Sequence, residues 1–481
     1  MPRRRAVGDE GRGARAPRSI PVPNGGIAGD HCAAVLEALG WSVARTSGAR
    51  ERHPDLVWAA SGAMALTGRA DGPPLLAPAP LASCARGAVQ ALGLLAGATD
   101  VIDRIDGARL LGERAACSGA RRRGVVAPGG TCRLMRARDG WLAVNLARVS
   151  DVELLPAWLD LDPSAGGDGF DVWAHVGRVI ADRDGAEVLA RARLLGIPAA
   201  PAATSVTRPP WFRRNVDGIV RERPADAAPL VVDLSTLWAG PLAASLLGLV
   251  GARVIKVEST RRPDGARDGA AAFYDRMNAG KESVAFDLAS AAGRTALRTL
   301  ITHADIVVES ARPRALQQMG IDAAELVRSV PGLVWVGITG YGRSEPEAGW
   351  VAFGDDASAA AGLTAATGRL AAGDEPLFCG DAIADPLTGV HAAVAALGTW
   401  QTGRGCLLDI ALRDVTAHLL ARGDACGVAA VISSGGSDGW EVLVDDECQV
   451  VRAPSVRQGP TARAFGADTA AVCAEFGVAP R

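Results

Sequence analysis

One aspartate stands where a side chain could do chemistry. Asp385 lies in the stretch CGDAIADPLTGVHAAVAALGTW, and Pro386 followed by small and apolar residues predicts a helix that runs to about Trp400. A carboxylate at the N-terminal end of a helix stays ionised, because the helix dipole and free N–H groups favour the charge. The residues alone predict that Asp385 caps this helix, as aspartates commonly do. A chemical role is the alternative.

A second feature is the stretch Leu230–Glu258, LVVDLSTLWAGPLAASLLGLVGARVIKVE. It predicts strand, tight turn, helix and strand, with the turn at Ala239-Gly240-Pro241. Free N–H groups at the start of such a helix form a site for a phosphate-bearing ligand. No G-x-G-x-x-G opens the helix, so a nucleotide-like ligand is indicated without the NAD fingerprint. An ordinary βαβ unit is the simpler interpretation.

Strands and helices alternate through the following hundred residues, and they must position both features. Such alternation predicts an α/β domain with a doubly wound, Rossmann-like parallel sheet. The predicted strands are Leu230–Leu234, Arg253–Val257, Ser283–Asp287, Asp305–Glu309 and Leu333–Ile338. The predicted helices are Pro241–Leu249, Ser290–His303 and Ala323–Val330.

Four more segments follow in an order that resembles one family. They are NAGKESVAFDL (278–288), ADIVVESARP (304–313), LVWVGITGYG (333–342) and TGRGCLLDIAL (402–412). Together with Leu230–Glu258 they resemble the family III CoA-transferases, the group that includes formyl-CoA transferase, the CaiB/BaiF proteins and α-methylacyl-CoA racemase. The resemblance runs from about Leu230 to Leu420, and it implies that family's large domain with a smaller α+β domain.

The resemblance gives Asp385 a role. Family members have a nucleophilic aspartate at this position, with a glycine four residues on, here Gly389. The implied activity is transfer of CoA from an acyl-CoA to a carboxylic acid through an aspartyl intermediate. Racemases of the family also use a histidine about thirty residues earlier, where this chain has Phe353-Gly354-Asp355-Asp356. Its absence favours CoA transfer over racemisation. His391 is predicted to be a packed core residue, and Asp381 ranks below Asp385.

The resemblance also implies a path for CoA. Family members often have an arginine at or near Ser259 and some have one at Gln318, and Arg261, Arg262 or Arg312 could substitute. Gly129-Gly130 is either a short form of the family's glycine loop or a plain turn. The implied CoA contacts are Trp238, Ala239, Ser259, Arg262, Phe286, Ala289, Ser310, Arg312, Gln318, Met319, Phe353 and Asp355.

The first part of the chain echoes the second. HPDLVWAASGAMALTGR (53–69) matches GDDASAAAGLTAATGR (354–369), and Ser83 then stands where the second copy has Asp385. The predicted organisation is a disordered N-terminus (1–28), a degenerate repeat of the large-domain end (29–115), a small-domain-like part (116–222), the CoA-binding catalytic large domain (223–425) and a C-terminal return segment (426–481).

Composition narrows the function classes. The 481 residues carry a net charge of −2, which implies no nucleic-acid partner, and no apolar run is long enough to span a membrane. Nine dispersed cysteines without a CxxC pair predict free thiols and a cytoplasmic protein. The six histidines have no metal-ligand spacing. We therefore expect no metal and no bound cofactor, with acyl-CoA and a carboxylic acid as substrates and a possible homodimer. The alternatives are a racemase, a non-catalytic acyl-CoA binding protein and, more distantly, an NAD oxidoreductase.

Overall fold

The computed structural model describes residues 19–98, 104–161, 171–224, 226–423, 429–433 and 439–478. Within these ranges no helix combines the length and the apolar character that a membrane span needs. The strands are β1 Ile20–Asn24, β2 Val43–Ser47, β3 Cys132–Ala137, β4 Gly140–Asn145, β5 Ala199–Pro201, β6 Arg213–Val220, β7 Leu230–Asp233, β8 Arg253–Ser259, β9 Glu282–Phe286, β10 Ile306–Glu309, β11 Val334–Thr339, β12 Arg404–Ala411, β13 Ala430–Ser433, β14 Trp440–Val444 and β15 Glu447–Val450.

The helices fall between these strands, and short 3-10 turns lie at Met64–Leu66, Arg109–Gly112, Gly265–Asp268 and Glu347–Gly349. The helices are α1 Ile27–Ala38, α2 Pro54–Ser61, α3 Leu81–Ala96, α4 Glu113–Ser118, α5 Val149–Glu153, α6 Leu155–Leu159, α7 Val172–Ala181, α8 Gly185–Leu195, α9 Ala239–Leu249, α10 Ala271–Asn278, α11 Ala291–His303, α12 Pro313–Gln318, α13 Ala323–Ser329, α14 Gly354–Ala360, α15 Leu363–Leu370, α16 Ala384–Gln401, α17 Leu412–Leu420 and α18 Thr469–Glu475.

The largest sheet has the strand order β6-β12-β11-β10-β7-β8-β9. Its strands are parallel except β6, which runs antiparallel to β12. Among the parallel strands the chain starts at β7, adds β8 and β9 on one side, and then crosses to add β10, β11 and β12 on the other. The gap beyond the carboxyl ends of β7 and β10 is therefore the switch point where ligands bind in such sheets. The predicted doubly wound α/β fold is confirmed.

Both faces of this sheet are buried, because successive side chains point to opposite sides. Val231 and Val308 join the core that includes α9 and α16, while Val232 and Val307 join the core that includes α11 and α13. Each fully buried valine contributes roughly 1.5–3 kcal/mol. The strand termini are thereby fixed from both sides, which gives the loops after them a rigid base.

The smaller α+β unit is built on the antiparallel sheet β3-β4-β5. Helices α5 to α8 cover it, with Trp158, Val176 and Ile180 in its core. The predicted small α+β domain is present, but its predicted end at residue 222 is wrong. β6 (Arg213–Val220) lies before that point and pairs with β12 of the large sheet. It is an edge strand with mostly exposed side chains, so its hydrophobic pattern is weak.

The N-terminal part forms a second, smaller βαβ unit. β1 and β2 pair in parallel and α1 connects them, so the prediction that residues 1–28 are disordered is wrong from Ile20 onward. The prediction failed because Pro21 and Pro23 alternate with Val22, whose fully buried side chain anchors the strand. Residues 1–18 lie outside the described residues.

The two halves share local geometry wherever the repeat was predicted. Gly62 ends the first helix of one copy with φ near 88°, and Gly362 lies between the first and second helices of the other with φ near 89°. Gly87 in α3 and Gly389 in α16 are each so close to a helix that a Cβ would overlap a carbonyl oxygen, that of Ala28 in α1 or of Ala239 in α9. These similarities support a duplication, which itself stays a prediction.

Candidate active site

Asp385 does not cap its own helix. Helix α16 begins at Ala384, two residues earlier than predicted, and its N-cap residue makes no side-chain capping bond. The Asp385 carboxylate instead lies beside the backbone N–H groups of Ala239 and Gly354, which favour its charged form. These are the first residues of α9 and α14. The carboxylate thus lies where three helix N-termini converge, a strongly anion-favouring position.

Asp385 belongs to a group of four carboxylates. Asp355, Asp356 and Asp381 are buried, with exposed fractions of 4%, 0% and 0%, whereas Asp385 is only half-buried. Asp355 accepts the N–H of Ala382 at 2.9 Å. Asp356 accepts Phe353 N–H at 2.9 Å, Asn145 Nδ2 at 3.2 Å and the Tyr341 hydroxyl at 3.2 Å. Among the four, Asp385 is the carboxylate that a dissolved substrate can reach.

A guanidinium from another part of the chain balances this charge. Arg114 in α4 donates to Asp381 through Nε at 2.8 Å and through Nη2 at 2.5 Å, and its positive charge also acts on Asp355 and Asp385. Its guanidinium lies 5.4 Å from the centroid of the Trp238 ring. The fork therefore links the segment before α16 to the turn before α9.

Burial raises the pKa of three of these acids. It brings the pKa of Asp355 and of Asp356 to about 7, and that of Asp385 to about 6. For Asp385, the positive charge of Arg114 and the N–H groups of Ala239 and Gly354 oppose the rise, while the negative charge of Asp381 adds to it. Asp385 is thus mostly ionised at neutral pH, yet more basic than an ordinary aspartate.

The turn before α9 is held in place by a buried ion pair. Lys256 donates to Asp264 at 2.9 Å and to the carbonyl of Ser235 at 2.9 Å, and Asp264 accepts the N–H of Leu237 at 2.9 Å. Leu237 has φ near 70°, a strained value for a branched residue. The pair keeps Leu237 in this conformation, which aims the N–H of Ala239 at Asp385.

The glycine pair predicted as loop or turn lies beside the same site. A Cβ at Gly129 would lie 3.0 Å from Arg114 Nη2 and 3.6 Å from Asp381 Oδ1. Gly130 has φ near 84° and donates to the carbonyl of Ala127 at 2.8 Å. It is therefore a tight turn by geometry, and its position is next to the Arg114–Asp381 pair.

Several predicted CoA contacts lie along the carboxyl edge of the large sheet. Ser259, Phe286 and Ser310 end or directly follow β8, β9 and β10. The Ser310 hydroxyl accepts the N–H of Thr236 at 3.0 Å, which joins the two loops at the switch point. Ala289 is exposed just beyond β9, before α11.

Positive charge gathers at this edge. Arg312, which precedes α12, is exposed, as are Arg262 and Arg314. Partial burial and the charges of Arg314, Arg148 and Arg262 lower the pKa of Arg312, so the four guanidinium groups lie near one another. Arg148 comes from the loop between β4 and α5 of the small unit, where it pairs with Asp151 at 2.5 Å. Such a cluster suits phosphate groups.

The remaining predicted CoA contacts lie either near Asp385 or at the end of α12. Trp238 and Ala239 lie at the Asp385 turn, and Phe353 and Asp355 at the start of α14. Asp355 is enclosed by Ala382 and the other acids, so it stabilises the site and is not a surface for CoA. Gln318 and Met319 lie at the end of α12, Gln318 exposed and Met319 packed against the second core.

The six histidines lie elsewhere. His391 is fully buried, as predicted, and its Nε2 meets Nε2 of His31 at 2.8 Å. His418 contacts the carbonyl of Pro209, and His53 caps α2. His175 and His303 lie in α7 and α11. In the described ranges no group of three or more His, Cys, Asp or Glu side chains could hold a metal ion.

Sequence reasoning missed Arg114 and the four-carboxylate group. Arg114 lies 267 residues before Asp381, and nothing local distinguishes it from other arginines. Asp355 and Asp356 had a usable signal, because paired acids at a helix start that follows Phe353 fit a capping arrangement. Arg148 has no signal, since its proximity to Arg312 depends on how the small unit docks.

Comparison with known proteins is consistent with this geometry. The family model described as CoA-transferase family III matches residues 229–426. We call residues 229–426 the family III segment, because this is the part of the chain that matches that family model. Over 208 residues the chain is 32% identical to the succinate–glutarate CoA-transferase of Agrobacterium fabrum, which covers 40% of this chain and 52% of that protein. It is 31% identical over 210 residues to human succinyl-CoA:glutarate CoA-transferase, covering 41% of this chain and 47% of that protein.

A solved structure is also similar to part of this chain. A CaiB/BaiF family protein from Brucella suis is 30% identical, covers 42% of this chain and 56% of its own, and has a TM-score of 0.36. The chain spans about half the length of the curated relatives that it matches. The matched part contains the large sheet from β7 to β12, together with Asp385.

Proposed function

We propose that this protein is a CoA-transferase that moves CoA from an acyl-CoA to a carboxylic acid, with Asp385 as the nucleophile. The observation that carries the proposal is the setting of Asp385. It is the most exposed member of a buried acid group, it lies beside N–H groups of two other helices, and it lies in the family III segment. A helix cap needs none of these features.

The reaction starts with attack of an ionised Asp385 oxygen on the thioester carbonyl carbon. The C–S bond breaks, which gives an acyl–aspartyl anhydride and the CoA thiolate. The thiolate attacks the aspartyl carbonyl, forms an aspartyl-CoA thioester and releases the donor acid. The acceptor carboxylate then attacks this thioester and expels the thiolate, which takes the acceptor acyl group from the new anhydride and restores Asp385.

The helix N-termini support this sequence electrostatically. The N–H groups of Ala239 and Gly354 lie beside the Asp385 carboxylate, and backbone donors so placed stabilise the oxyanion that forms on the aspartyl carbonyl when the thiolate attacks it. At the sheet edge, Arg312, Arg314 and Arg262 offer guanidinium groups to the phosphates of CoA. The arginine that family members often have near Ser259 is replaced by Arg262 in this arrangement.

The substrates belong to the proposal as well. Relatives are named for succinate, glutarate, citramalate and malate, so small dicarboxylic acids and succinyl-CoA are the first substrates to test. We propose a cytoplasmic enzyme without a bound cofactor, and the eight described cysteines are free thiols, as a reducing compartment would keep them. A homodimer stays a prediction.

The positions of the histidines favour CoA transfer over racemisation. A racemase needs a base tuned near neutral pH beside the α-carbon. The groups that act on Asp385 are Arg114, Asp381 and two N–H groups, and the histidine nearest in sequence, His391, is held by His31 and the carbonyl of Leu387. This favours CoA transfer. A non-catalytic acyl-CoA binding protein would not need a reachable carboxylate among buried ones.

The test is CoA exchange with a matched pair of aspartates. Wild-type protein with succinyl-CoA and glutarate or malate should form a new CoA ester, detected by chromatography and mass. Asp385→Asn should lower the rate roughly 1,000-fold or more, as expected for loss of a nucleophile. Asp184→Asn is the control, because Asp184 is a true cap whose side chain accepts the N–H groups of Ala186 and Glu187. Equal activity of the two variants would contradict the proposal.

A further inference from the structure

We propose that Arg114 is a positioning residue for the transfer reaction, which acts through its ion pair with Asp381 to keep the Asp385 carboxylate charged and in place. The inference rests on the proposed function. It assigns to the N-terminal region a direct part in the chemistry, although the family III segment begins only at residue 229.

The geometry of the pair is that of a fixed clamp. Two parallel N–H···O contacts at 2.8 and 2.5 Å join the guanidinium to both oxygens of Asp381, which is itself buried. Trp238 lies 5.4 Å from the same guanidinium, and Gly129 leaves room for it where a side chain would crowd it. Asp381 and Asp385 are four residues apart, so the clamp fixes the start of α16.

The charges around Asp385 make this clamp necessary. The groups facing the carboxylate are Arg114 from α4, Asp381 from the segment before α16, and the N–H groups of Ala239 and Gly354. The charges of Arg114 and Asp381 also act on Asp355. One guanidinium thus stands against three carboxylates. Without it, Asp381 would be a buried and unpaired anion next to the nucleophile, a costly arrangement.

The consequences have a definite direction in pH. Asp385 must be ionised to attack, so kcat/KM rises as pH passes through its pKa from below. Loss of Arg114 removes an attractive charge, so the rise moves to higher pH. Loss of the negative charge on Asp381 leaves Arg114 uncompensated, so the rise moves to lower pH. Loss of both changes no net charge and returns the rise toward that of the wild type.

The experiment is a set of kcat/KM profiles from pH 5 to 9 for CoA exchange by wild type, Arg114→Gln, Asp381→Asn and the double variant. We expect Arg114→Gln to lose roughly tenfold in kcat/KM at pH 5, equivalent to a shift of one pKa unit, and to recover at high pH. Asp381→Asn should shift the opposite way. The kcat/KM of the double variant should depend on pH as that of the wild type does, even if its maximal value is lower.

A second arginine pair provides the control. Arg86 binds both oxygens of Asp106 at 2.8 Å in the same N-terminal region, away from Asp385. Arg86→Gln should leave the profile unchanged, while thermal unfolding reports the stability of every variant. If Arg114→Gln fails to fold, Arg114→Lys keeps the charge without the fork and should lower kcat at an unshifted profile.

Two results would overturn the inference. A profile for Arg114→Gln that matches the wild type would show that the pair does not act on the nucleophile. A raised KM for the acceptor acid, equal in the single and double variants and without a pH shift, would show that Arg114 binds substrate directly. Failure of the proposed function looks different, because the wild type itself would then show no exchange at any pH.

Discussion

The chemistry of Asp385 depends on what meets its carboxylate. Its own helix supplies no capping bond, and the N–H groups of Ala239 and Gly354 come from two other helices. A sequence shows the helix after Asp385 but not which other helix ends converge on it. For that reason the residues alone favoured a cap, and only the family resemblance suggested a nucleophilic role.

Gly354 is the most exacting neighbour at this scale. A Cβ there would overlap Asp385 Oδ2 and the carbonyl of Ala382. Gly354→Ala should therefore displace the carboxylate and lower CoA exchange by roughly 100-fold, since small displacements of reacting groups are costly. Steady-state exchange and thermal unfolding measured together separate a displaced carboxylate from an unfolded protein.

The control for this change is another helical glycine. Gly177 in α7 has open space where a Cβ would stand. Gly177→Ala should keep full activity and raise the free energy of unfolding by up to about 1 kcal/mol, because alanine favours helix. Unchanged activity in Gly354→Ala would show that the carboxylate does not depend on this close approach.

At the scale of elements, strands β7 to β11 of the large sheet were predictable, whereas the edge strand β6 was not. The five predicted strands each fall within two residues of β7 to β11 at either end, because buried parallel strands are continuous apolar runs with clear limits. β6 was missed because an exposed edge strand has little hydrophobic pattern. The strained Leu237 turn was also invisible, since its cause is Asp264, a residue 27 positions away.

The Lys256–Asp264 pair should carry much of the stability of that turn. Both side chains are almost fully buried, with exposed fractions of 1% and 0%. Lys256→Met leaves Asp264 buried without a counter-charge and should cost about 3–5 kcal/mol of unfolding free energy, measured by urea denaturation. Arg298→Ala breaks the exposed pair with Glu325 and should cost no more than about 1 kcal/mol. Similar losses in both variants would refute the role of the buried pair.

At the scale of the whole molecule, the two halves form one core. Residues of α1 and α3 pack in the same cluster as residues of α9 and α16. His31 and His391 meet across this contact. Because His391 Nδ1 donates to the carbonyl of Leu387 at 2.7 Å, its Nε2 accepts from Nε2–H of His31. The pair is therefore neutral in the folded protein.

This pair predicts a pH effect on stability. Burial lowers the pKa of His391 to about 4 and lowers that of His31, against about 6.5 in an unfolded chain. Its contribution is complete above pH 6.5 and is lost as pH falls toward 4, because the unfolded chain binds protons first. Between pH 6.5 and 4 the wild type should therefore lose more unfolding free energy than His391→Gln does, by on the order of 3 kcal/mol. Unfolding midpoints measured from pH 7 to 4 test it.

The variant must be compared with the wild type, because the raised pKa values of Asp355 and Asp356 change the stability in the opposite direction as pH falls. These two carboxyl groups bind protons more tightly in the folded protein, so their protonation at low pH stabilises the fold. The exposed His303→Gln serves as the matched control and should follow the wild type at every pH. If His391→Gln shows the wild-type slope, the histidine pair does not set the acid stability.

The central claim is that Asp385 becomes covalently acylated and then carries CoA. Its most direct test is incubation with succinyl-CoA, trapping with hydroxylamine or borohydride, and peptide mass analysis of wild type beside Asp385→Ala. The account predicts a modified Asp385 in the wild type and none in the variant. Tight CoA binding without any modification of Asp385, or a modification that persists in Asp385→Ala, would contradict it.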